Sequence, residues 1–237
     1  DYICSLVDIN AIQKMRVVFD VGNGMVGMLL PKLLERLPML EAEILYGDVD
    51  MTFPNHEANP LKDETLAALK KAVADKKADL GVAFDGDGDR LRFITASGFP
   101  IPGDIMTAIF AEYLLKENPG EKIYYTVNAS RVIRETIKKT GGVGVEGRIG
   151  HALIKAVMRK EYILFGGELS GHFYHRDFFY AESALLTLLR LLTILSLEKA
   201  TLEELVRPFL RYVTSGEVNV MVSDKDKALD AVVVHYK

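Results

Sequence analysis

Residues 80–95 read LGVAFDGDGDRLRFIT, two short apolar segments on either side of an acidic, glycine-rich loop. The first segment, Leu80–Phe84, has no polar side chain, which is typical of a strand covered on both faces of a sheet. The second, Leu91–Thr95, is also largely apolar and runs into Ser97-Gly98, a dipeptide that favours a turn. The stretch therefore predicts a strand, a loop, and another strand that ends in a turn.

The elements upstream alternate between strand and helix patterns. A β-branched apolar run ends in Gly22-Asn23-Gly24, and Asp48–Pro60 is rich in proline and asparagine, so both segments predict irregular backbone. The alternation favours a layered α/β domain with a crossover-connected sheet. The predicted elements are a strand at Arg16–Val21, a helix at Met25–Leu34, a strand at Glu43–Tyr46 and a helix at Asp63–Lys77.

The same alternation begins again after Phe99–Gly103, where prolines and a glycine mark a domain boundary. The fold class is therefore α/β, with two tandem layered domains at 1–99 and 100–211 and a short strand–helix remnant at 212–237. The elements predicted for the second domain are helices at Asp104–Lys116 and Ser130–Thr140, strands at Lys122–Val127, Val143–Val145 and Ile163–Phe165, a buried helix within Phe178–Leu197, and a helix opened by a capping box at Thr201–Glu204. In the remnant we predict a strand at Gly216–Val222 and a helix at Asp224–Tyr236.

Composition narrows the classes of function. The chain has 237 residues, 29 basic and 33 acidic side chains and a formal charge of −4, without a basic stripe, so no nucleic-acid partner is expected. Its single cysteine, Cys4, predicts a reducing compartment, and we expect the cytoplasm. The apolar stretch Phe178–Leu197 contains Glu182 and Arg190, so we expect no membrane span. Because the chain starts at Asp1, we expect an excised fragment.

The loop Asp85–Arg90 carries three carboxylates on alternate residues. Asp85, Asp87 and Asp89 are separated by glycines that let the backbone bend, so the three groups can converge on one hard cation, and Mg²⁺ is the expected ion. An alternative stays open: in a haloacid-dehalogenase-type phosphatase Asp85 would be the nucleophile and Asp87 the acid/base. Asp89 stands where that class expects threonine or serine.

Two further segments carry polar side chains suited to a phosphorylated sugar. Glu168, Ser170 and His172 lie on one short loop, Gly167–His172, and can accept and donate hydrogen bonds to sugar hydroxyls. His151 opens a helix whose N-terminal amides could bind an anion such as phosphate, and a simple capped helix is the alternative. A third pattern, G-x-G-x-x-G at 22–27, matches a dinucleotide fingerprint but has no acidic residue closing the second strand, so we interpret it as a tight turn.

Four motifs taken together resemble the α-D-phosphohexomutase superfamily. They are FPNHEANPLK at 53–62, DGDGDR at 85–90, GHALIK at 150–155 and GELSGH at 167–172, in the family's order and spacing. Within that superfamily the sequence is similar to the phosphomannomutase/phosphoglucomutase group, because phosphoglucosamine mutases usually have glutamine where Leu169 stands. A phosphoglucosamine mutase is the second alternative.

The resemblance implies a reaction and a role for each residue. Hexose 1-phosphate and hexose 6-phosphate of mannose or glucose would interconvert through a phosphoserine and a 1,6-bisphosphate. A lysine of the family falls at Asn128 here, so that contact is not carried over. The implied roles are Mg²⁺ binding by Asp85, Asp87 and Asp89, phosphate contact by Arg90, sugar hydroxyl binding by Glu168 and Ser170, substrate or proton handling by His172, and substrate contact by His151.

The resemblance also implies missing parts. Family members have four domains, and this sequence resembles the second, the third and the opening of the fourth. The phosphorylated serine of the first domain and the phosphate clamp of the fourth have no match here. The chain alone is therefore expected to be inactive, and its implied partners are a hexose phosphate and the other two domains of its parent.

Overall fold

The computed structural model describes residues 1–214 and 220–236 and contains two sheets with helices packed against them. The predicted α/β fold class is confirmed. After a short helix α1 (Tyr2–Ser5), the first sheet has the strand order β2-β1-β3-β4, with β1 parallel to β2 and β3, and β4 antiparallel to β3. Its strands are β1 (Met15–Asp20), β2 (Leu40–Leu45), β3 (Leu80–Phe84) and β4 (Leu91–Thr95).

The crossovers of the first sheet are partly irregular. The predicted helix at Met25–Leu34 is a 3₁₀ turn, Met25–Met28, followed by the single-turn helix α2 (Leu30–Leu34). The helical prediction was too long because Pro31 at the start of α2 has no amide proton to continue a helix across the break. The second crossover uses the predicted loop and then α3 (Ala67–Lys76), which buries Leu69 and Val73 on its inner face.

The second sheet repeats the topology of the first with one more strand. The order is β6-β5-β7-β8-β9, with β5 parallel to β6 and β7, and with β8 antiparallel to β7. The strands are β5 (Lys122–Thr126), β6 (Val143–Gly147), β7 (Phe165–Gly167), β8 (Phe173–His175) and β9 (Ala181–Glu182), and the helices around them are α4 (Gly103–Glu117), α5 (Arg131–Lys139), α6 (His151–Glu161) and α7 (Ala184–Glu198).

The buried helix starts later than the apolar stretch suggested. Phe179 and Tyr180 both have positive φ, near 59°, which ends any helical path there and lets β9 form before α7 begins. In the described part of the chain we find no helix with the length and apolar character needed to cross a membrane. The helix α7 is instead part of a core shared by both sheets, which joins Phe19 and Phe93 to Phe110 and Phe165.

The C-terminal part adds two helices. α8 (Leu202–Val206) begins with the predicted capping box between Thr201 and Glu204, and α9 (Lys225–His235) confirms the predicted last helix. Of the predicted strand at Gly216–Val222, residues 216–219 lie outside the described residues, and Val220–Val222 are not in a strand.

Candidate active site at the junction of two hairpins

The acidic loop Asp85–Arg90 connects β3 to the antiparallel β4 and rests on the turn after β1. Met25 N–H donates to the Gly86 carbonyl at 2.9 Å. A Cβ at Gly24 would lie 2.8 Å from that carbonyl oxygen, so only glycine allows this approach of the two backbones. The glycines of the 22–27 pattern thus support the acidic loop.

The three carboxylates of the loop converge as predicted. Ligand oxygens of Asp85, Asp87 and Asp89 all lie within 4.8 Å of one another. Opposite ligands of an octahedral Mg²⁺ are about 4.2 Å apart, at about 2.1 Å from the ion, so a small rotation of the side chains would place the three carboxylates at three positions of such a shell. The donor set is all oxygen and carries three negative charges, so these residues fit a hard divalent cation.

Arg90 fixes the most buried carboxylate of the loop. Asp85 is 1% exposed; its Oδ1 accepts from the Gly88 and Arg90 amides, both at 3.1 Å, and its Oδ2 accepts from Arg90 Nε at 2.7 Å. Such charge-assisted bonds compensate a buried carboxylate. Asp87 is exposed and Asp89 is partly exposed, so the loop presents a fixed inner carboxylate and two outer ones.

The loop Glu168–His172 connects β7 to the antiparallel β8, the same position in the second sheet. Glu168 is 5% exposed, and the buried Tyr174 hydroxyl donates to its Oε1. Burial and the neighbouring Glu168 raise the pKa of Tyr174, so it remains a hydrogen-bond donor. The Ser170 hydroxyl lies 3.4 Å from Glu168 Oε2 and 2.8 Å from His172 Nδ1. The carboxylate, the hydroxyl and the imidazole therefore form one hydrogen-bonded network.

The two loops meet directly. Leu91 N–H donates to the Gly171 carbonyl at 3.3 Å, Arg90 and His172 form an antiparallel bridge, and His172 Nε2 lies 3.3 Å from Asp89 Oδ1. Gly171 has φ of 89°, and a Cβ there would lie 2.6 Å from the Leu91 carbonyl oxygen. The structure thus brings together six of the eight predicted site residues along this contact, and Asp87 stays with them in the carboxylate cluster. The six are Asp85, Asp89, Arg90, Glu168, Ser170 and His172.

His151, the remaining substrate residue predicted from the sequence, lies apart from this chain of contacts. It opens α6 with its side chain 65% exposed, and its Nδ1 is 3.5 Å from Glu182 Oε1. Glu182 Oε2 accepts from Lys155 Nζ at 2.9 Å. Burial opposes the charge on Glu182, but its hydrogen bonds and Lys155 outweigh this effect and lower its pKa. Sequence reasoning treated Glu182 only as an interruption of an apolar stretch.

An open cleft of about 510 Å³ lies beside the second loop. Glu168 and Ser170 line it together with Asn128, Thr126 and Arg92. Asn128 follows β5 and its Oδ1 accepts from the Thr126 hydroxyl at 2.7 Å. A second cavity, of about 540 Å³, lies under the N-terminal segment and contains none of the predicted site residues. The cleft at the second loop is therefore the candidate binding space.

Comparison with known proteins identifies relatives for both sheets. Residues 1–98 match the family model described as phosphoglucomutase/phosphomannomutase, alpha/beta/alpha domain II, and residues 102–212 match that of domain III. The phosphomannomutase/phosphoglucomutase of Pseudomonas syringae pv. tomato is 39% identical over 221 residues, which cover 93% of this chain and 47% of the relative. The phosphomannomutase of Methanocaldococcus jannaschii is 36% identical, covering 94% and 49%.

A solved structure agrees with these matches. The crystal structure of a phosphoglucomutase/phosphomannomutase family protein from Burkholderia thailandensis superposes with a TM-score of 0.82 at 34% identity, over 90% of this chain and 46% of that one. The chain spans about half the length of the curated relatives it matches. By its two matching family models and these relatives, the chain belongs to the phosphoglucomutase/phosphomannomutase family.

Proposed function

We propose that this chain supplies the metal-binding and sugar-binding parts of a phosphosugar mutase that interconverts hexose 1-phosphate and hexose 6-phosphate. The observation that carries the proposal is the contact between the two hairpin loops, through Leu91, Gly171, Arg90 and His172. A cluster of carboxylates for a cation thereby stands beside groups that bind hydroxyls. Transfer of a phosphoryl group to or from a sugar hydroxyl needs both.

The chain's own residues would divide the work as follows. Glu168 accepts hydrogen bonds from sugar hydroxyls, with its orientation set by Tyr174, and Ser170 donates or accepts beside it. When His172 Nδ1 is unprotonated, the Ser170 hydroxyl donates to it; when Nδ1 is protonated, Ser170 accepts and its own proton turns to Glu168. The hydrogen-bonded side chains of Glu168, Ser170 and His172 can therefore hold a proton next to a reacting hydroxyl.

Asp85, Asp87 and Asp89 would hold Mg²⁺, which when bound offsets the negative charge of a phosphoryl group in transfer. Arg90, fixed on Asp85, would orient the same phosphate. His151, held near Glu182 at the N-terminus of α6, would contact substrate from the side of the second sheet. Each of these roles is a proposal that the geometry and the family relationship support.

The phosphate-carrying serine belongs, on this proposal, to a part of the parent protein beyond this chain, as does the clamp for the second phosphate. Relatives about twice as long support that arrangement. We propose domain limits at 1–99 and 100–211, with 212–237 opening a further domain, and a cytoplasmic location in keeping with the one free cysteine, Cys4.

A chimaera tests the function. Residues 1–212 replace the matching part of the Pseudomonas syringae relative, and conversion of glucose 1-phosphate to glucose 6-phosphate is followed with Mg²⁺ and glucose 1,6-bisphosphate. We expect turnover, and a loss in kcat of about 100-fold or more in the Asp87→Asn variant, because one ligand of the cation is weakened. The matched control is Asp75→Asn, an exposed carboxylate on α3 paired with Lys71, which should change kcat less than twofold.

Other outcomes separate the alternatives. Phosphate release without isomerisation would favour the phosphatase in which Asp85 is the nucleophile. Turnover of glucosamine phosphates in preference to glucose and mannose phosphates would favour a phosphoglucosamine mutase. A folded chimaera with no activity, or full activity in Asp87→Asn, would contradict the proposed function.

A further inference from the structure

Arg92 is a cation at the candidate cleft that forms no ion pair with a carboxylate of the described residues. It lies on β4, the edge strand of the first sheet, and lines the cleft with Glu168 and Ser170. Among the described residues that line this cleft, Arg92 is the one cation and Glu168 the one carboxylate. The neutral Asn128, which follows β5, lines the same cleft.

Among the described residues, the guanidinium of Arg92 makes only long hydrogen bonds through Nη1 and leaves its Nε–H without an acceptor. Arg92 Nη1 donates to the carbonyls of Pro60 and Leu61, both at 3.3 Å, and the buried Nε has no hydrogen-bond partner. A buried N–H without a partner costs free energy, and 3.3 Å is long for a hydrogen bond to a carbonyl. The described hydrogen bonds of Arg92 are therefore long, and its Nε–H has no acceptor.

The neighbouring carboxylate, Asp63, compensates the charge of Arg92 only in part. Asp63 acts on Arg92 only through its charge and forms its own ion pair with Lys70 at 2.7 Å. Burial lowers the pKa of Arg92, although an arginine keeps its proton at neutral pH. In the described residues no carboxylate pairs with this guanidinium. A partly buried cation without an ion-pair partner favours binding of an anion from solution.

The other groups of the cleft indicate which anion. Glu168 repels a negative charge, and Glu168 and Ser170 together can accept and donate hydrogen bonds to hydroxyls, so they suit the neutral part of a ligand. Guanidinium binds phosphate through two parallel N–H donors, a geometry that lysine lacks. We propose that Arg92 binds the phosphate group of a sugar phosphate in this cleft while the sugar hydroxyls face Glu168 and Ser170. This inference rests on the proposed function for the class of ligand.

Binding to the chain itself tests the inference without any turnover. Glucose 6-phosphate, glucose and inorganic phosphate are titrated separately into the chain, and affinity is read from nuclear magnetic resonance shifts. We expect Arg92→Gln to weaken glucose 6-phosphate at least 10-fold and glucose less than twofold, with Arg92→Lys between Arg92→Gln and the native chain. Lys71→Gln, which removes an exposed positive charge of α3 that is paired with Asp75, away from the cleft, should change both affinities less than twofold.

A second measurement uses the native chain and therefore does not depend on whether a variant folds. In the native chain the Nε–H signal of Arg92 should shift saturably with glucose 6-phosphate and not with glucose. An unmoved Arg92 signal during saturable binding, equal affinity of Arg92→Gln and the native chain for glucose 6-phosphate, or an equal loss for glucose, would overturn the inference. Inorganic phosphate binding as tightly as glucose 6-phosphate would overturn the part assigned to Glu168 and Ser170.

These results separate the inference from the proposed function. An inactive chimaera together with Arg92-dependent binding of glucose 6-phosphate removes the mutase proposal and leaves Arg92 as a phosphate-binding residue. An active chimaera together with Arg92-independent binding does the reverse.

Discussion

The hairpin β3–β4 in the first sheet and the hairpin β7–β8 in the second have the same place in the topology, and each carries one loop of the candidate site. The first loop is shaped from within, because Asp85 is held by amides of its own loop and by Arg90. In the second loop, Glu168 is held by a neutral donor, the Tyr174 hydroxyl of the following strand. Two hairpins of the same topology thus fix a buried carboxylate with different donors, amides and a guanidinium in the first and a phenol in the second.

The largest effect is expected where the two hairpins join. Gly171→Ala places a Cβ 2.6 Å from the Leu91 carbonyl oxygen in a backbone with φ of 89°, and should lower the free energy of unfolding by about 3 kcal/mol. Gly141→Ala is the matched control: its φ is 77° and no atom lies within 4 Å of the added carbon, so about 1 kcal/mol is expected. Urea denaturation of both variants measures the difference, and equal losses would mean that the junction is not tight.

The next effect tests how strongly the phenol donor holds Glu168. Tyr174→Phe removes the hydroxyl that holds Glu168, and should cost about 2 kcal/mol of unfolding free energy because the lost bond is made to a charged group. Tyr124→Phe, in the same apolar cluster, removes a bond of 2.7 Å to the neutral Arg148 carbonyl and should cost about 1 kcal/mol. Thermal and urea unfolding compare the two, and a larger loss in Tyr124→Phe would contradict the account of Glu168.

A smaller effect depends on pH and concerns the strand behind the second loop. His175 is buried between Arg190, whose Nη1 donates to its Nδ1, and Thr187 Oγ1, which accepts from its Nε2. Burial, and then the charge of Arg190, hold the pKa of His175 well below its usual range. The unfolded chain therefore binds a proton below about pH 6.5 that the folded chain does not, and stability is lost as pH falls, by up to about 1.4 kcal/mol per pH unit.

The His175→Gln variant isolates this contribution. Unfolding free energies measured between pH 7.5 and 5.5 should fall less steeply than those of the native chain, whereas the exposed His235→Gln should keep the native slope. An unchanged slope in His175→Gln would show that this histidine does not titrate on unfolding.

Local patterns in the sequence predicted most of the first hairpin. The strands Leu80–Phe84 and Leu91–Thr95 appear with the predicted bounds, and the alternating aspartates converge because the glycines between them permit the turn. The short strands β8 and β9 were not predicted, since three and two residues carry no periodic signal. Tyr174 was missed for the same reason, as it lies on β8.

Contacts between segments that are distant in the sequence could not be predicted either. The bridge between Arg90 and His172 joins residues from two sheets, and nothing in either motif indicates its partner. Arg92 reads as one polar residue in an apolar strand, and its lack of an ion-pair partner depends on Asp63 pairing elsewhere. The residue types of the site could therefore be predicted from motifs, whereas the contacts between the two loops became known only from the structure.

The central claim is that the two hairpin loops form one site, and a Mg²⁺ titration of the isotopically labelled chain tests it most directly. The account predicts saturable shifts of the amide signals of Asp85–Arg90 and, with the same dissociation constant, of Gly171 and His172, all abolished by Asp87→Asn. Saturable shifts confined to Asp85–Arg90 would contradict a shared site, and the absence of any saturable shift would contradict the metal site itself.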